Sequence, residues 1–222
     1  MAIVLFSHPF SSYCQKVLIA LYEAGTPFET RLLSPDNPDA GATLQRLWPI
    51  GKFPMLVDEE RDLHLPEASI IVEYLDMHYP GAAPMLPADP DLRLEVRLLD
   101  RFFDNYVMTP QQKTVFDRLC EPEQRDPFGV EKAHGEIETA YRWLDERMAG
   151  RTWAVGEAFT LADCAAGPAL FYADWVHPID DSFANLAAYR ARLLARPSFA
   201  RAIDEARPYR SFFPGGAPSD RG

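Results

Sequence analysis

The apolar positions along this chain change their period twice before residue 80. Ala2–Phe6 is an unbroken apolar run with β-branched members that ends at Ser7-His8-Pro9, as a buried strand entering a loop does. From Tyr13 the spacing becomes helical: Val17, Leu18, Leu21 and Tyr22 share a face until Gly25 stops the run. Phe28–Leu33 reads as a second strand, parallel to the first through a right-handed crossover. The mixed Pro, Asn, Asp and Gly stretch 34–47 predicts an irregular connection with one short helix. Met55-Leu56-Val57 and Leu63-His64-Leu65 flank the charged segment 58–62 and predict a β-hairpin. A further helix opens at Glu67, places Ile70, Ile71, Tyr74 and Leu75 on one face, and stops near Tyr79-Pro80-Gly81.

Pro84, Pro87 and Pro90 then interrupt any periodicity, and beyond them strand patterns disappear. Leu92, Val96, Leu99, Phe103 and Tyr106 keep helical spacing up to Pro110, and Val130 through Met148 does so again. Thr160-Leu161-Ala162-Asp163 has capping-box spacing, with Asp in the usual Glu place, and opens a more buried helix. Residues 183–195 and 198–206 supply shorter ones. The expected organisation is an α/β unit ordered βαβ-ββα over 1–80, a linker over 81–90 and an all-α unit over 91–210. The Gly-, Pro- and polar-rich tail 211–222 is expected to be disordered.

Composition narrows the function classes. With 47% hydrophobic residues the chain has ample material for a core. Against 33 Asp and Glu stand 22 Lys and Arg, a net charge of -11, which repels nucleic-acid backbones and anionic lipid. No apolar stretch approaches the roughly 20 residues of a membrane span. Residues 1–5 lack the regions of a secretory signal, so a cytoplasmic protein is expected. The 3 cysteines, Cys14, Cys120 and Cys164, have no CxxC or metal-type spacing, and the 5 histidines are scattered, so no metal site is expected.

Three short segments carry candidate chemistry. Ser11-Ser12-Tyr13-Cys14 lies where a strand gives way to a helix, a position that collects unpaired N–H groups and the positive dipole end and therefore favours an anion such as a thiolate. The same serines are also ordinary helix N-caps. Gly51-Lys52-Phe53-Pro54 enters an apolar strand through a proline, which leaves the Phe53 peptide free to pair with a ligand backbone or merely marks an edge strand. Pro66-Glu67-Ala68-Ser69 opens a helix with a carboxylate. Glu67 either complements the dipole or binds a ligand ammonium while the Ala68 and Ser69 amides hold its carboxylate. One tripeptide offers these groups in order: an amino-acid head, a central peptide with a thiol, and a terminal carboxylate within reach of Lys52.

These segments, with Gln15-Lys16-Val17, Ile70-Ile71, Tyr74-Leu75 and Phe159-Thr160-Leu161-Ala162-Asp163, resemble the cytosolic glutathione S-transferases over about residues 1–210. The resemblance implies a thioredoxin-like first domain, a helical second domain, a homodimer, and glutathione as cosubstrate for a small hydrophobic electrophile. It implies Ser11 as the hydroxyl that activates the glutathione thiol, Phe53 as the backbone reader before a cis Pro54, and Glu67 in the γ-glutamyl pocket. Phe6 stands near the tyrosine of other classes, so the serine type is preferred. Ala68 departs from the family's usual Ser and removes a hydroxyl contact, for which Ser69 is a partial substitute. Phe102, Tyr106, Phe171, Tyr172 and Trp175 are candidate walls of the electrophile pocket. A glutathione-dependent isomerase uses the same residues. Thiol-disulfide exchange through Cys14 and a non-catalytic interaction or stress-regulatory domain are the alternatives.

Overall fold

The computed structural model describes residues 3–219 and 221. Met1, Ala2 at the start of the segment expected as the first strand, and positions 220 and 222 of the expected tail lie outside the described residues. Four short strands, β1 (Ile3–Ser7), β2 (Glu29–Leu32), β3 (Met55–Asp58) and β4 (Leu63–Pro66), form one sheet in the order β2-β1-β3-β4. β1 and β2 run parallel, while β3 is antiparallel to both β1 and β4. Alternation along β1 assigns its two faces. Ile3 and Leu5 point with Leu56 into a core with α1 (Ser12–Ala24) and α3 (Ala68–His78), whereas Val4, Phe6 and Met55 meet Ala40 and Leu44 of α2 (Pro38–Leu47). The expected βαβ-ββα order and helical second half are both present.

The helical part comprises α4 (Pro90–Phe102), α5 (Thr109–Leu119), α6 (Pro127–Met148), α7 (Leu161–Val176), α8 (Ala184–Leu194) and α9 (Pro197–Ala206). α7 is buried along its whole length. Its start is fixed by Asp163, whose carboxylate accepts from the Thr160 N–H at 2.9 Å, the Ala154 N–H at 2.9 Å and the Tyr189 hydroxyl at 2.7 Å. The expected stop before Pro110 does not occur. A π-helical turn, Phe103–Met108, joins α4 to α5. Its wider spacing makes room for a ring that would strike the preceding carbonyl of a regular helix.

At the end of the helical part, Arg207–Phe212 forms 3-10 turns and Phe213 is buried against Trp175, so an aromatic pair anchors the start of the expected tail 211–222. The sheet half and helical half meet along α1. Gln15 Nε2 donates to the Tyr172 hydroxyl at 3.0 Å, and Arg196 grips Glu23 through two N–H donors at 2.8 and 2.6 Å. Among the described residues no helix is long and apolar enough to cross a membrane.

Candidate functional site

Strand register brings the three segments to one end of the sheet. Phe6 pairs with Met55 and Met55 with Pro66, so the chain leaving β1, the peptide before β3 and the residue after β4 emerge side by side. Ser11, Pro54 and Glu67 therefore share an edge although they are far apart in sequence.

Ser11 is the N-cap of α1, with extended backbone and a hydroxyl oxygen that accepts from the Cys14 N–H at 3.4 Å. That contact orients the oxygen while leaving its proton free to be donated. Ser11 and Ser12 line a cavity of about 210 Å³. Phe10, Phe116 and Tyr172 supply aromatic walls, and Phe212, Phe213 and Pro214 close it from the C-terminal segment. Gln111 and Gln112 of α5 contribute amides. Among the described residues no charged side chain belongs to this lining. The tail residues and α5 were invisible as site elements in the sequence, because an aromatic at a chain end or on a helix gives the same signal whether it fills a core or a pocket.

Of the expected electrophile-pocket residues only Tyr172 lines this cavity. Phe171 and Trp175 are core, 2% and 6% exposed. Phe102 and Tyr106 instead line a separate groove of about 470 Å³ with Trp143, on the α4–α6 side. The Tyr172 hydroxyl is already engaged, donating to the Phe10 carbonyl at 3.1 Å and accepting from Gln15.

The Phe53-Pro54 peptide is cis, as the resemblance implied. Phe53 is 39% exposed, and neither its N–H nor its carbonyl has a hydrogen-bond partner among the described residues. Pro54 is buried and Lys52 is exposed beside it. Glu67, the N-cap of α3, is exposed and holds φ at 72°, a left-handed conformation that costs a residue with a Cβ about 1–3 kcal/mol. No side chain caps the Ala68 and Ser69 end of α3, so its first N–H groups stay open to a ligand anion. Ser69 does not replace the hydroxyl missing at Ala68. Its oxygen accepts from Lys16 Nζ at 2.9 Å, inside a buried cluster where Lys16 also pairs with Asp100 and with Asp104 at 2.9 Å. Burial outweighs that ammonium and leaves the Asp104 carboxyl above its ordinary range. Lys16 belongs to the segment that carries the resemblance, but its buried pairing with Asp100 and Asp104 is not legible in the sequence, since a single Lys on an amphipathic helix normally faces water.

Cys14 is fully buried, and burial pushes its thiol up to about 12 despite hydrogen bonds from the His8 and Ser11 side that favour the thiolate. It stays protonated and faces the core. His8 is held below the ordinary imidazole value by burial, and its Nδ1 accepts from the Phe10 N–H at 3.1 Å.

Two family models match this arrangement: the N-terminal domain of glutathione S-transferases over residues 5–83 and the C-terminal domain over residues 127–192. The chain belongs to the glutathione S-transferase family. Among its relatives in that family, a stringent starvation protein A homolog of Pasteurella multocida is 30% identical over 207 residues, 92% of this chain and 91% of that one. The glutathione S-transferase GstB of Escherichia coli is 27% identical over 208 residues, covering 90% of this chain and 97% of its own length. A crystal structure of a glutathione S-transferase from Methylobacterium radiotolerans, in complex with glutathione sulfonate, superposes with a TM-score of 0.78 at 33% identity, over 90% of this chain and 94% of that one.

Proposed function

We propose that this chain is a glutathione transferase of the serine type. Glutathione is the cosubstrate, the γ-glutamyl head lying at Glu67 and the α3 start, the cysteinyl peptide along Phe53, and the sulfur at the Ser11 hydroxyl. Lys52 reaches the glycyl carboxylate. The observation that carries this reading is Ser11 itself, a capping hydroxyl with a free proton at the positive end of α1 on the wall of an apolar cavity. A free thiol titrates near 8.5; a hydroxyl donor and a helix start stabilise the anion and enlarge the nucleophilic fraction at neutral pH. The thiolate then adds to, or displaces a leaving group from, a small neutral electrophile in the cavity. Glutathione complexes among solved relatives support the ligand assignment.

Calorimetry with glutathione, followed by conjugation of chlorodinitrobenzene by the wild type and the Ser11→Ala variant, tests the reading. Binding with turnover that drops in the variant supports it. Absence of heat at millimolar glutathione would refute it and favour a non-catalytic interaction domain, a reading supported by the stringent starvation protein A relative and by Ala68. Thiol-disulfide exchange through Cys14 is disfavoured by its burial.

The assembly proposed is a homodimer. Ile70 and Met77 on α3 and Leu94 and Leu98 on α4 are 45–67% exposed, and they flank the Arg97–Glu73 ion pair that ties the two helices together. Exposed apolar side chains on two joined helices are the kind of surface a second copy covers. Replacing Leu98 by Glu is expected to convert a dimer to a monomer in light scattering behind size exclusion.

A further inference from the structure

The C-terminal segment that closes the Ser11 cavity is tied down on either side of a glycine turn. Before the turn, Phe213 packs edge-on against Trp175, and Arg118 of α5 donates from Nη1 to the Pro214 carbonyl at 3.3 Å with its guanidinium 5.8 Å from the centre of the Phe213 ring. After it, the Arg221 carbonyl accepts from Trp175 Nε1 at 3.0 Å and the Arg221 guanidinium donates to Asp174 at 2.8 Å. Between these anchors Gly215 and Gly216 hold φ at 86° and 88°, a backbone conformation that residues with a Cβ rarely adopt. The part that walls the cavity therefore depends on Arg118.

Arg118 also bears on a pair of histidines. The rings of His134 on α6 and His177, the C-cap of α7, lie 5.2 Å apart between centres at 37°. His177 is committed, with Nε2 3.0 Å from Glu138 Oε2 and its carbonyl accepting from the Tyr141 hydroxyl at 3.1 Å. His134 Nε2 is buried and has no hydrogen-bond partner among the described residues. We propose that His134 is a proton-operated latch for the C-terminal strap: uptake of a proton by its ring loosens the hold of Arg118 on Pro214 and opens the cavity. The inference concerns access to the cavity and stands whatever ligand the cavity takes.

An imidazolium carries an N–H on both ring nitrogens, and a buried charged donor without an acceptor costs far more than a neutral ring with one idle nitrogen. The surrounding charges do not relieve it. On α5, Arg118 is a like charge, while Lys113 and Asp117 are engaged with each other and with Asp126. On α6, Glu138 holds His177 through one oxygen and lies 3.8 Å from Arg142 through the other, and Glu131 is exposed to water. Past α7 stands His177 itself, and Asp174 is taken by Arg190 of α8 at 3.1 Å and by Arg221. Burial first, then His177 and Arg118, hold His134 below the ordinary imidazole value. A lowered folded value means that the closed arrangement is complete above the free value of about 6.5 and is lost as pH falls below it. Arg118 is half-buried and long enough to swing toward water, which separates the two cations and takes the donor from Pro214.

Hydrogen exchange of the full chain, read by mass spectrometry at about pH 7.5 and about pH 5.5 and corrected for the intrinsic pH dependence of amide exchange, tests the latch. In the wild type, protection of peptides covering 211–216 is expected to fall by about threefold or more at the lower pH, while peptides covering 3–24 keep theirs. His134→Gln, neutral at both values, is expected to abolish that fall, and Arg118→Gln to leave the segment poorly protected at both. His134→Asn replaces the first variant if it loses protection over 3–24, and the wild-type profile itself needs no substitution. A wild-type segment equally protected at both values, a loss that extends to 3–24, or a fall that persists in the folded histidine variant overturns the proposal.

Discussion

Replacing Ser11 by Ala removes two interactions at once, and their magnitudes separate them. The first is the helix cap. At 3.4 Å the Cys14 N–H contact is long, so its loss belongs near the low end of the range of about 0.5–2 kcal/mol for N-cap substitutions. The second is the hydroxyl's hydrogen bond to the glutathione sulfur, which as a bond to a charged group is worth about 1.5–3 kcal/mol. At 1.36 kcal/mol per unit, this corresponds to a rise of roughly 1–2 units in the pKa of the bound thiol. The dipole of α1 stays in the variant and contributes only about 0.3–1 kcal/mol.

A pH profile reads this difference directly. Two units below the free thiol value of about 8.5, the variant's thiolate fraction, and with it the conjugation rate, should fall roughly 10- to 50-fold. Above that value both proteins hold ionised glutathione, and the gap should narrow. Thiolate ultraviolet absorbance of the bound complex gives the same two pKa values without turnover. Ser11→Asp supplies the control, because Asp caps a helix as well as Ser but sets a carboxylate against the sulfur. It should keep the stability and lose the low-pH rate. If Ser11→Ala lowers the rate by the same factor at every pH, or Ser11→Asp keeps wild-type activity, the hydroxyl does not hold the thiolate and the reasoning fails.

Three further outcomes follow from the same geometry. Cys14 and Cys164 are fully buried with thiols that burial keeps protonated, while Cys120 is partly exposed. One thiol should therefore react quickly with Ellman's reagent in the native protein and all three after unfolding; rapid labelling of Cys14 would reopen thiol-disulfide exchange. Burial alone would raise the Glu23 carboxyl, but the Arg196 guanidinium and the Ser198 hydroxyl outweigh it and hold it below the usual range. A lowered folded pKa means the contribution is complete above the unfolded value of about 4.3 and lost as pH falls through the folded one. The stability gap between wild type and Glu23→Gln in urea should thus be widest near neutrality and shrink below about pH 4.3; a gap independent of pH would contradict it. Ala68→Ser restores the hydroxyl at the α3 start and should tighten glutathione binding by about 0.5–1.5 kcal/mol, roughly 2- to 12-fold by calorimetry. Unaltered affinity would mean that the γ-glutamyl carboxylate is held elsewhere.

How much of this was legible beforehand depended on whether the cause was local. Thr160 and Asp163 bond across one helical turn, and Ser11 caps α1 through the Cys14 N–H three residues on, so side-chain chemistry alone marks both helix starts. The apolar strand runs and the period-3.6 helices were legible for the same reason. The features that make the site specific have distant causes. Glu67 reaches its left-handed backbone because β4 ends beside β3 and α3 must turn back over the sheet, and nothing in Pro66-Glu67-Ala68 announces it. The continuation past Pro110 depends on a π turn that no single residue between 103 and 108 dictates. Phe212 and Phe213 become cavity walls because Trp175 and Arg118 of the helical half receive the tail: Trp175 packs edge-on against Phe213, and Arg118 donates to the Pro214 carbonyl. Gln111 is the sharpest case. On the helix it reads as one more polar position between Pro110 and Lys113, and only the closing of that tail over α5 makes it part of a cavity wall.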